Sequence, residues 1–124
     1  ASGGELSRIS LAIAVLAAQA NPVPTLIFDE ADAGVGGAVA DAVGELMRRL
    51  GGDRQVLCVT HLPQVAAKAH HHYRVTKDSV DGRAVSRIEA LDRAERVEEI
   101  ARMLGGAEIT ATTRKHAREI LAQA

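Results

Sequence analysis

Two apolar stretches decide the fold of this chain: residues 25–30, with the sequence TLIFDE, and residues 55–61, with the sequence QVLCVTH. Their apolar residues are continuous instead of alternating with polar ones, which is typical of strands buried on both faces of a parallel sheet. Between them lies a helical pattern that Gly51 and Gly52 end, and its apolar face comprises Val39, Val43, Leu46, Met47 and Leu50. The order strand, helix, strand predicts an α/β fold with a parallel sheet covered by helices on both sides.

The segment before the first strand predicts another helix. Ser2 and Glu5 have the spacing of a capping box, which begins the helix near Gly3. Residues 21–24, with the sequence NPVP, end it, because proline restricts the backbone of the residue before it. Apolar residues recur between these points at helical spacing, and the expected inward face comprises Leu6, Ile9, Ile13, Leu16 and Ala20.

The second half of the chain has a different pattern. Residues 73–77 and 83–88 alternate around the turn residues 79–82, SVDG, which predicts an antiparallel hairpin. Two amphipathic helices are predicted after the hairpin. The first has Ala94, Val97, Ala101 and Leu104 inward and stops at Gly105-Gly106, and the second has Ala117, Ile120 and Leu121 inward.

Composition restricts the class of protein. The chain has 124 residues, 47% hydrophobic and 25% charged, which suits the core of one small domain. A net charge of −1 supplies no general basic field for nucleic acid, and two aromatic residues cannot form a base-stacking platform. One cysteine excludes an internal disulfide, and the longest apolar run, residues 11–18, is too short to span a bilayer. With no leader pattern at its start, the chain is predicted to be cytoplasmic.

Polar side chains follow both predicted strands, at the edge where open parallel sheets bind ligands. Asp29 and Glu30 point in different directions, so the aspartate can hold Mg²⁺ while the glutamate orients or deprotonates an attacking water. His61 can donate a hydrogen bond to a phosphate oxygen. Each of the three also has an ordinary interpretation, as a solvated strand end or a surface histidine.

The glycines near the start of the chain form a third candidate element. Gly3 and Gly4 allow backbone N–H groups to approach a phosphate at a helix N-terminus. Ser2 can equally be a helix cap and nothing more. In the same way, Asp32 can simply form an Asx turn into the glycines at 34–37.

Two further groups of residues carry little functional signal. Cys58 lies inside a predicted buried strand, where a thiol is usually an inert small apolar group. His70, His71 and His72 are consecutive in an extended segment, so they cannot all face one metal ion. We interpret the three histidines as the polar entry to an edge strand.

The ordered set of motifs is more specific than any single one. It resembles the carboxyl half of an ABC-type ATPase head and, within that superfamily, the RecN family of bacterial DNA-repair proteins, which are related to the SMC proteins. Four segments carry the resemblance: a signature-like motif at residues 2–8 (SGGELSR), the Walker B and D-loop region at 28–37 (FDEADAGVGG), a switch-histidine segment at 59–66 (VTHLPQVA) and the closing residues 103–106 (MLGG). Glu5 and residues 31–34 differ from the Gln and the Ser-Ala-Leu-Asp turn of ABC transporter heads.

The resemblance implies a fold and a site. The fold is the carboxyl-terminal lobe of a P-loop NTPase, with a mostly parallel sheet flanked by helices and a terminal β-hairpin and helices. The implied cofactors are ATP and Mg²⁺, with Asp29 as a metal ligand, Glu30 positioning the hydrolytic water and His61 contacting the γ-phosphate. The resemblance also implies that Ser2, Gly3 and Gly4 contact the γ-phosphate of the nucleotide held by a partner head. Glu5 and Asp32 are the other implied cofactor-binding residues, with Asp32 a candidate for coupling the two heads.

The sequence also lacks one expected motif. No G-x-x-x-x-G-K-[ST] occurs in the 124 residues, so residues 1–124 are expected to be the carboxyl-terminal part of a head whose Walker A half lies upstream, and to be inactive alone. The resemblance implies that ATP binding and hydrolysis at a composite site, shared by two heads, drive head engagement in a homodimeric double-strand-break repair and recombination protein. That protein would reach DNA through its full length, on the nucleoid in the cytoplasm and away from membranes. The alternatives are an ABC transporter ATPase and a non-catalytic dimerisation or DNA-binding module.

Overall fold

A computed structural model describes residues 13–14, 16–20, 23–29, 35–105 and 108–124. The chain divides into two units, one of Ala1–Ala69 with Ala124 and one of His70–Gln123. None of the helices in these described ranges combines the length and the apolar character that crossing a bilayer requires.

The first unit is built around a parallel pair of strands. Helical residues at 13, 14 and 16–20 belong to α1, and β1 (Thr25–Asp29), α2 (Gly37–Leu50), β2 (Gln55–Val59) and α3 (Pro63–Lys68) follow. The strands β1 and β2 pair in parallel from Thr25 opposite Gln55 to Asp29 opposite Val59. The predicted strand–helix–strand unit is therefore confirmed, whereas the short helix α3 was not predicted.

One face of this parallel pair packs on α2. Phe28 is 7% exposed, and Leu26, Val56 and Cys58 on the same face are partly buried against the core. The helix α2 contributes Ala40, Val43, Met47 and Leu50 to this core, with Leu46 partly buried. The predicted inward face of α2 is confirmed at these positions, but Val39 is exposed.

The opposite face of the strand pair is open. Ile27 is 69% exposed, and Leu57 and Val59 beside it are also exposed. Within the described residues, helices therefore cover one of the two faces, not both as the apolar runs predict. The continuous apolar run indicates correctly that both faces are apolar, but nothing in the described part of the chain covers the second one.

The inward face predicted for α1 is also wrong where it can be compared. Ile13 is 61% exposed and Leu16 is 63% exposed, while the small side chain of Ala18 is the buried one. Leu6 and Ile9 lie outside the described residues. The helical spacing of the apolar residues predicted which face of α1 would be buried. In the structure, Ala18, which is not on that face, packs in the core.

The second unit begins with the predicted hairpin. The strands β3 (Tyr73–Val80) and β4 (Arg83–Ala90) are antiparallel, with Val80 opposite Arg83. Asp81 (φ 51°) and Gly82 (φ 76°) form the two-residue turn, and positive φ at both positions is the type I′ geometry that matches strand twist. The turn is shorter than the predicted 79–82, so β3 extends beyond its predicted end at residue 77, while β4 extends at its far end to Ala90 instead of residue 88.

The helices α4 (Arg93–Gly105) and α5 (Ala111–Ala122) pack against each other after the hairpin. Asp92 and Glu95 cap the start of α4 reciprocally, since each carboxylate accepts the backbone N–H of the other residue, at 2.8 and 3.1 Å. The fully buried residues of these helices are Ile100, Ala101 and Ala117. Ala101 and Ala117 confirm the predicted faces, whereas Ile100 was missed and Ala94 is exposed.

A buried carboxylate links α4 to the hairpin. Glu99 is buried, accepts hydrogen bonds from Arg102 Nε at 3.0 and 3.1 Å, and lies 4.0 Å from Arg74 Nη1 on β3. Arg74 also donates to Glu89 on β4 at 2.7 Å. A buried charge is costly unless it is paired, and Arg102 and Arg74 supply the opposite charges around Glu99.

His72 lies beside this cluster. Burial lowers the pKa of His72 below its ordinary 6.5, and the positive charges of Arg96 and Arg74 lower it further, while Glu99 acts in the opposite direction. The folded second unit therefore favours the neutral imidazole.

We expect the two faces of β1 to respond differently to truncation. Phe28→Ala should lower the free energy of unfolding of the 124-residue chain by about 3–5 kcal/mol, because it leaves a cavity in the core. Ile27→Ala, one position away on the open face, should cost less than about 1 kcal/mol. Urea denaturation measures both, and equal losses would contradict the open face.

We also expect His72 to make the fold acid-sensitive. Because its folded pKa lies below 6.5, the unfolded chain takes up the proton first as the pH falls, so stability is lost below pH 6.5. His72→Gln should flatten the fall in unfolding free energy between about pH 6.5 and 5. His70→Gln, at an exposed position on the same segment, is the control and should keep the wild-type fall; an unchanged profile for His72→Gln would disprove the assignment.

Candidate functional site

The candidate site lies at the carboxyl edge of the parallel strand pair. Asp29 is the last residue of β1 and is in register with Val59, the last residue of β2. Neighbouring strands are about 4.8 Å apart, so the two strands end level with each other. His61 follows β2 by two residues, which places Asp29 and the His61 segment at the same edge of the sheet.

The side chains of Asp29 and His61 are open to a ligand. Both residues are exposed, and no hydrogen bond or ion pair engages either side chain within the described part of the chain. The described ranges hold no group of three or more His, Cys, Asp or Glu side chains around a metal position. A single carboxylate such as Asp29 fits nucleotide-bound Mg²⁺, which takes one or two carboxylates together with phosphates and waters.

All the predicted site roles stay predictions, including those of Asp29 and His61. Glu30, the proposed water-positioning residue, lies outside the described residues, as do the signature-like residues and the D-loop aspartate: Ser2, Gly3, Gly4, Glu5 and Asp32.

The core of the first unit includes a residue of the predicted D-loop region. Val35 is buried in the core of the first unit, and Gly36 is the extended N-cap residue of α2. Gly37, the first residue of α2, has φ +57°, a left-handed conformation that residues with a Cβ adopt only at a cost. The sequence predicted a glycine-rich turn here but did not distinguish the glycine that the backbone requires.

A local hydrogen bond shapes the His61 segment. The backbone N–H of Leu62 donates to Thr60 Oγ1 at 3.0 Å, and the Leu62 carbonyl accepts the first helical hydrogen bond, from Ala66 N at 3.0 Å. Pro63 then opens α3. Sequence reasoning missed this arrangement, although a threonine two residues before the bonded N–H, followed by a proline, is a recognisable turn and helix-start signal.

The helix α3 is held closely on α2. At Gly44 of α2, a Cβ atom would lie 2.8 Å from Lys68 Cγ and 3.3 Å from the Gln64 carbonyl oxygen, so glycine permits the close approach. Arg48 of α2 donates to the Lys68 carbonyl, and Lys68 Nζ lies 3.6 Å from Glu45 Oε2. The segment after His61 is therefore anchored on the main helix of the unit.

Known proteins resemble the chain over nearly its whole length. It is 64% identical over 110 residues to the DNA repair protein RecN of Xylella fastidiosa, which covers 89% of the chain. It is 54% identical over 121 residues to RecN of Haemophilus influenzae and 48% identical over 124 residues to RecN of Bacillus subtilis. These matches cover 98% and 100% of the chain. The chain spans only 20–22% of the length of these relatives. No protein-family profile matches it.

Solved structures share the fold. The Smc head domain with a coiled coil and joint from Pyrococcus yayanosii superposes with a TM-score of 0.68 at 27% identity, over 81% of this chain and 19% of that one. An SMC ATPase described for ATP-driven dimerization and DNA-stimulated activation superposes with a TM-score of 0.65 at 24% identity, over 79% of this chain and 58% of that one. The resemblance to RecN and the SMC ATPase-head fold are therefore confirmed.

We expect the left-handed backbone conformation at position 37 to require glycine. Gly37→Ala should lower the free energy of unfolding by about 1–2 kcal/mol, because alanine is strained at positive φ. Gly36→Ala is the matched control: the backbone there is extended at φ −154°, and a Cβ meets nothing within 4 Å at either glycine. The control should shift urea unfolding by less than about 1 kcal/mol, and a larger loss for Gly36→Ala than for Gly37→Ala would contradict this account.

Proposed function

We propose that the chain is the carboxyl-terminal lobe of an ATPase head in a RecN-like DNA-repair protein, and that it supplies part of the site where ATP is bound and hydrolysed. The observation that carries the proposal is the level ending of two parallel strands, which brings exposed Asp29 and the His61 segment to one edge of an SMC-head fold. Ligands of open α/β sheets bind at this edge.

Each residue has a distinct task in the proposed site. The Asp29 carboxylate is a ligand for the Mg²⁺ of Mg-ATP, which neutralises charge on the phosphates when bound. Glu30 follows Asp29 directly, and its carboxylate accepts the proton of the attacking water. His61 donates a hydrogen bond to the γ-phosphate. Preorganised groups around the developing charge are the usual source of rate in phosphoryl transfer.

We propose that a second head completes this site. Ser2, Gly3 and Gly4, with Glu5 and Asp32 nearby in the same contact, face the nucleotide held by the partner head. Head pairing is supported by the shared fold with an SMC ATPase described for ATP-driven dimerization. ATP hydrolysis then requires the two heads to be engaged, and hydrolysis allows the heads to separate again.

The Walker A half of the same protein is the second proposed partner. The open face of the parallel pair, defined by Ile27, Leu57 and Val59, supports this assignment because parallel strands are normally covered on both faces. The phosphate-binding loop is absent from the 124 residues, so this chain alone should not hydrolyse ATP.

The proposed biological role is inferred from the relatives of the chain. Three RecN proteins that match nearly the whole chain are DNA repair proteins, which favours double-strand-break repair and recombination over the transporter alternative. In this proposal the full-length protein, as a homodimer joined by its engaged heads, meets DNA on the nucleoid in the cytoplasm.

We expect Glu30→Gln in the full-length protein to separate binding from hydrolysis. The variant keeps the shape of the side chain but loses the charge that accepts the proton, so Mg-ATP should still bind while turnover falls by at least about 100-fold. Light scattering should then show a mass that doubles only with Mg-ATP, because the engaged heads cannot separate.

A second substitution tests the contact between heads. Adding Ser2→Arg to Glu30→Gln should leave Mg-ATP bound but prevent the doubling, because a bulky cation then stands where backbone N–H groups must approach phosphate. Wild-type hydrolysis in Glu30→Gln would refute the role of Glu30. Unaltered dimerisation in the double variant would refute the role of the signature-like segment.

A further inference from the structure

The backbone on both sides of His61 is fixed. On one side, Val59 is paired with Asp29 in the parallel ladder. On the other side, the side chain of Leu62 packs against the core and its carbonyl accepts the first hydrogen bond of α3. The contacts of α3 at Gly44 and Lys68 hold that helix on α2.

The connection between these two anchors consists of Thr60 and His61 alone. It is closed by the hydrogen bond from Leu62 N to Thr60 Oγ1, at 3.0 Å, which spans His61. The His61 side chain is exposed and has no partner of its own within the described part of the chain. The direction of the imidazole therefore depends on the backbone turn, and the turn depends on the Thr60 hydroxyl.

We propose that Thr60 is a positioning residue for His61: its hydroxyl closes the turn that presents the imidazole at the Asp29 edge of the sheet. This inference rests on the proposed role of His61 in ATP hydrolysis. A group that must meet a reacting phosphate loses rate steeply when it is displaced, so a hydroxyl that never touches the nucleotide still controls turnover.

The test uses the full-length protein and steady-state ATP hydrolysis. Thr60→Val keeps the shape of the side chain but removes the hydroxyl, and it should lower kcat by about tenfold while KM for Mg-ATP changes by less than about twofold. Thr60→Ser keeps the hydroxyl and should restore most of kcat. Thr60→Ala gives the same test if the valine variant does not fold.

The chain offers a matched control for the loss of such a hydrogen bond. Thr110 caps α5 with the same kind of bond, since its hydroxyl accepts the backbone N–H of Thr113 at 3.1 Å, and it also forms a hydrogen bond with the Thr113 hydroxyl at 2.9 Å. Thr110→Val should lower the melting temperature about as much as Thr60→Val, with kcat unchanged. An equal loss of kcat in both variants would reduce Thr60 to a structural residue and overturn the inference.

A double-mutant cycle with His61→Ala separates this inference from the proposed function. If Thr60 acts through His61, Thr60→Val should have no further effect on kcat once His61 is alanine. Additive losses, or a loss with His61→Ala and none with Thr60→Val, overturn the role of Thr60 and leave that of His61 standing. Wild-type kcat in His61→Ala overturns both.

Discussion

The parallel ladder between β1 and β2 is the constraint on which the rest of the first unit depends. Its five residue pairs are in uniform register, and the bond from Gln55 N to the Pro24 carbonyl, at 2.9 Å, adds to it where both strands begin. A parallel pair requires a long crossover, and α2 supplies it while covering one face. Because the strands start level and have equal length, they also end level. Asp29 and the His61 segment share an edge for that reason, although 32 positions separate the two residues in the sequence.

Local sequence patterns predicted which segments form helices and strands, but they did not predict which faces of those elements are buried. Apolar runs ended by polar residues identified β1 and β2, and Asp81-Gly82 marked the hairpin turn, because these signals are set by neighbouring residues. Which apolar face is buried depends on what packs there, so Ile27 and the α1 residue Ile13 were wrongly expected inside. The chemical character of Asp29 and His61 could be read from the sequence. The Thr60 turn and the tightness of the Gly44 contact are tertiary details that periodicity does not contain.

In the second unit, the sequence pattern likewise does not predict which charged residue is buried. A glutamate among several arginines on an amphipathic helix is usually predicted to be solvated, yet Glu99 is buried. Its burial is possible because Arg102 binds it on the same helix and Arg74 approaches it from β3. Opposite charges spaced three residues apart can indicate the Arg102 contact in advance. The contact with Arg74 cannot be anticipated in this way, because it depends on where the hairpin packs. The lowered pKa of His72 depends on the same packing, because burial is its main cause.

The open face of the parallel pair and the edge that carries the candidate site are physically linked. Side chains alternate along a strand, so Asp29 lies on the same face as Ile27, and its partner Val59 lies on the same face as Leu57. In the proposed head, a polypeptide that packs on Ile27 and Leu57 is therefore brought directly beside the Asp29 carboxylate. Burial of apolar surface supplies a driving force that does not depend on nucleotide, and it would hold a phosphate-binding loop beside the proposed metal ligand. Assembly of the two halves of the head and assembly of its catalytic site are then one event.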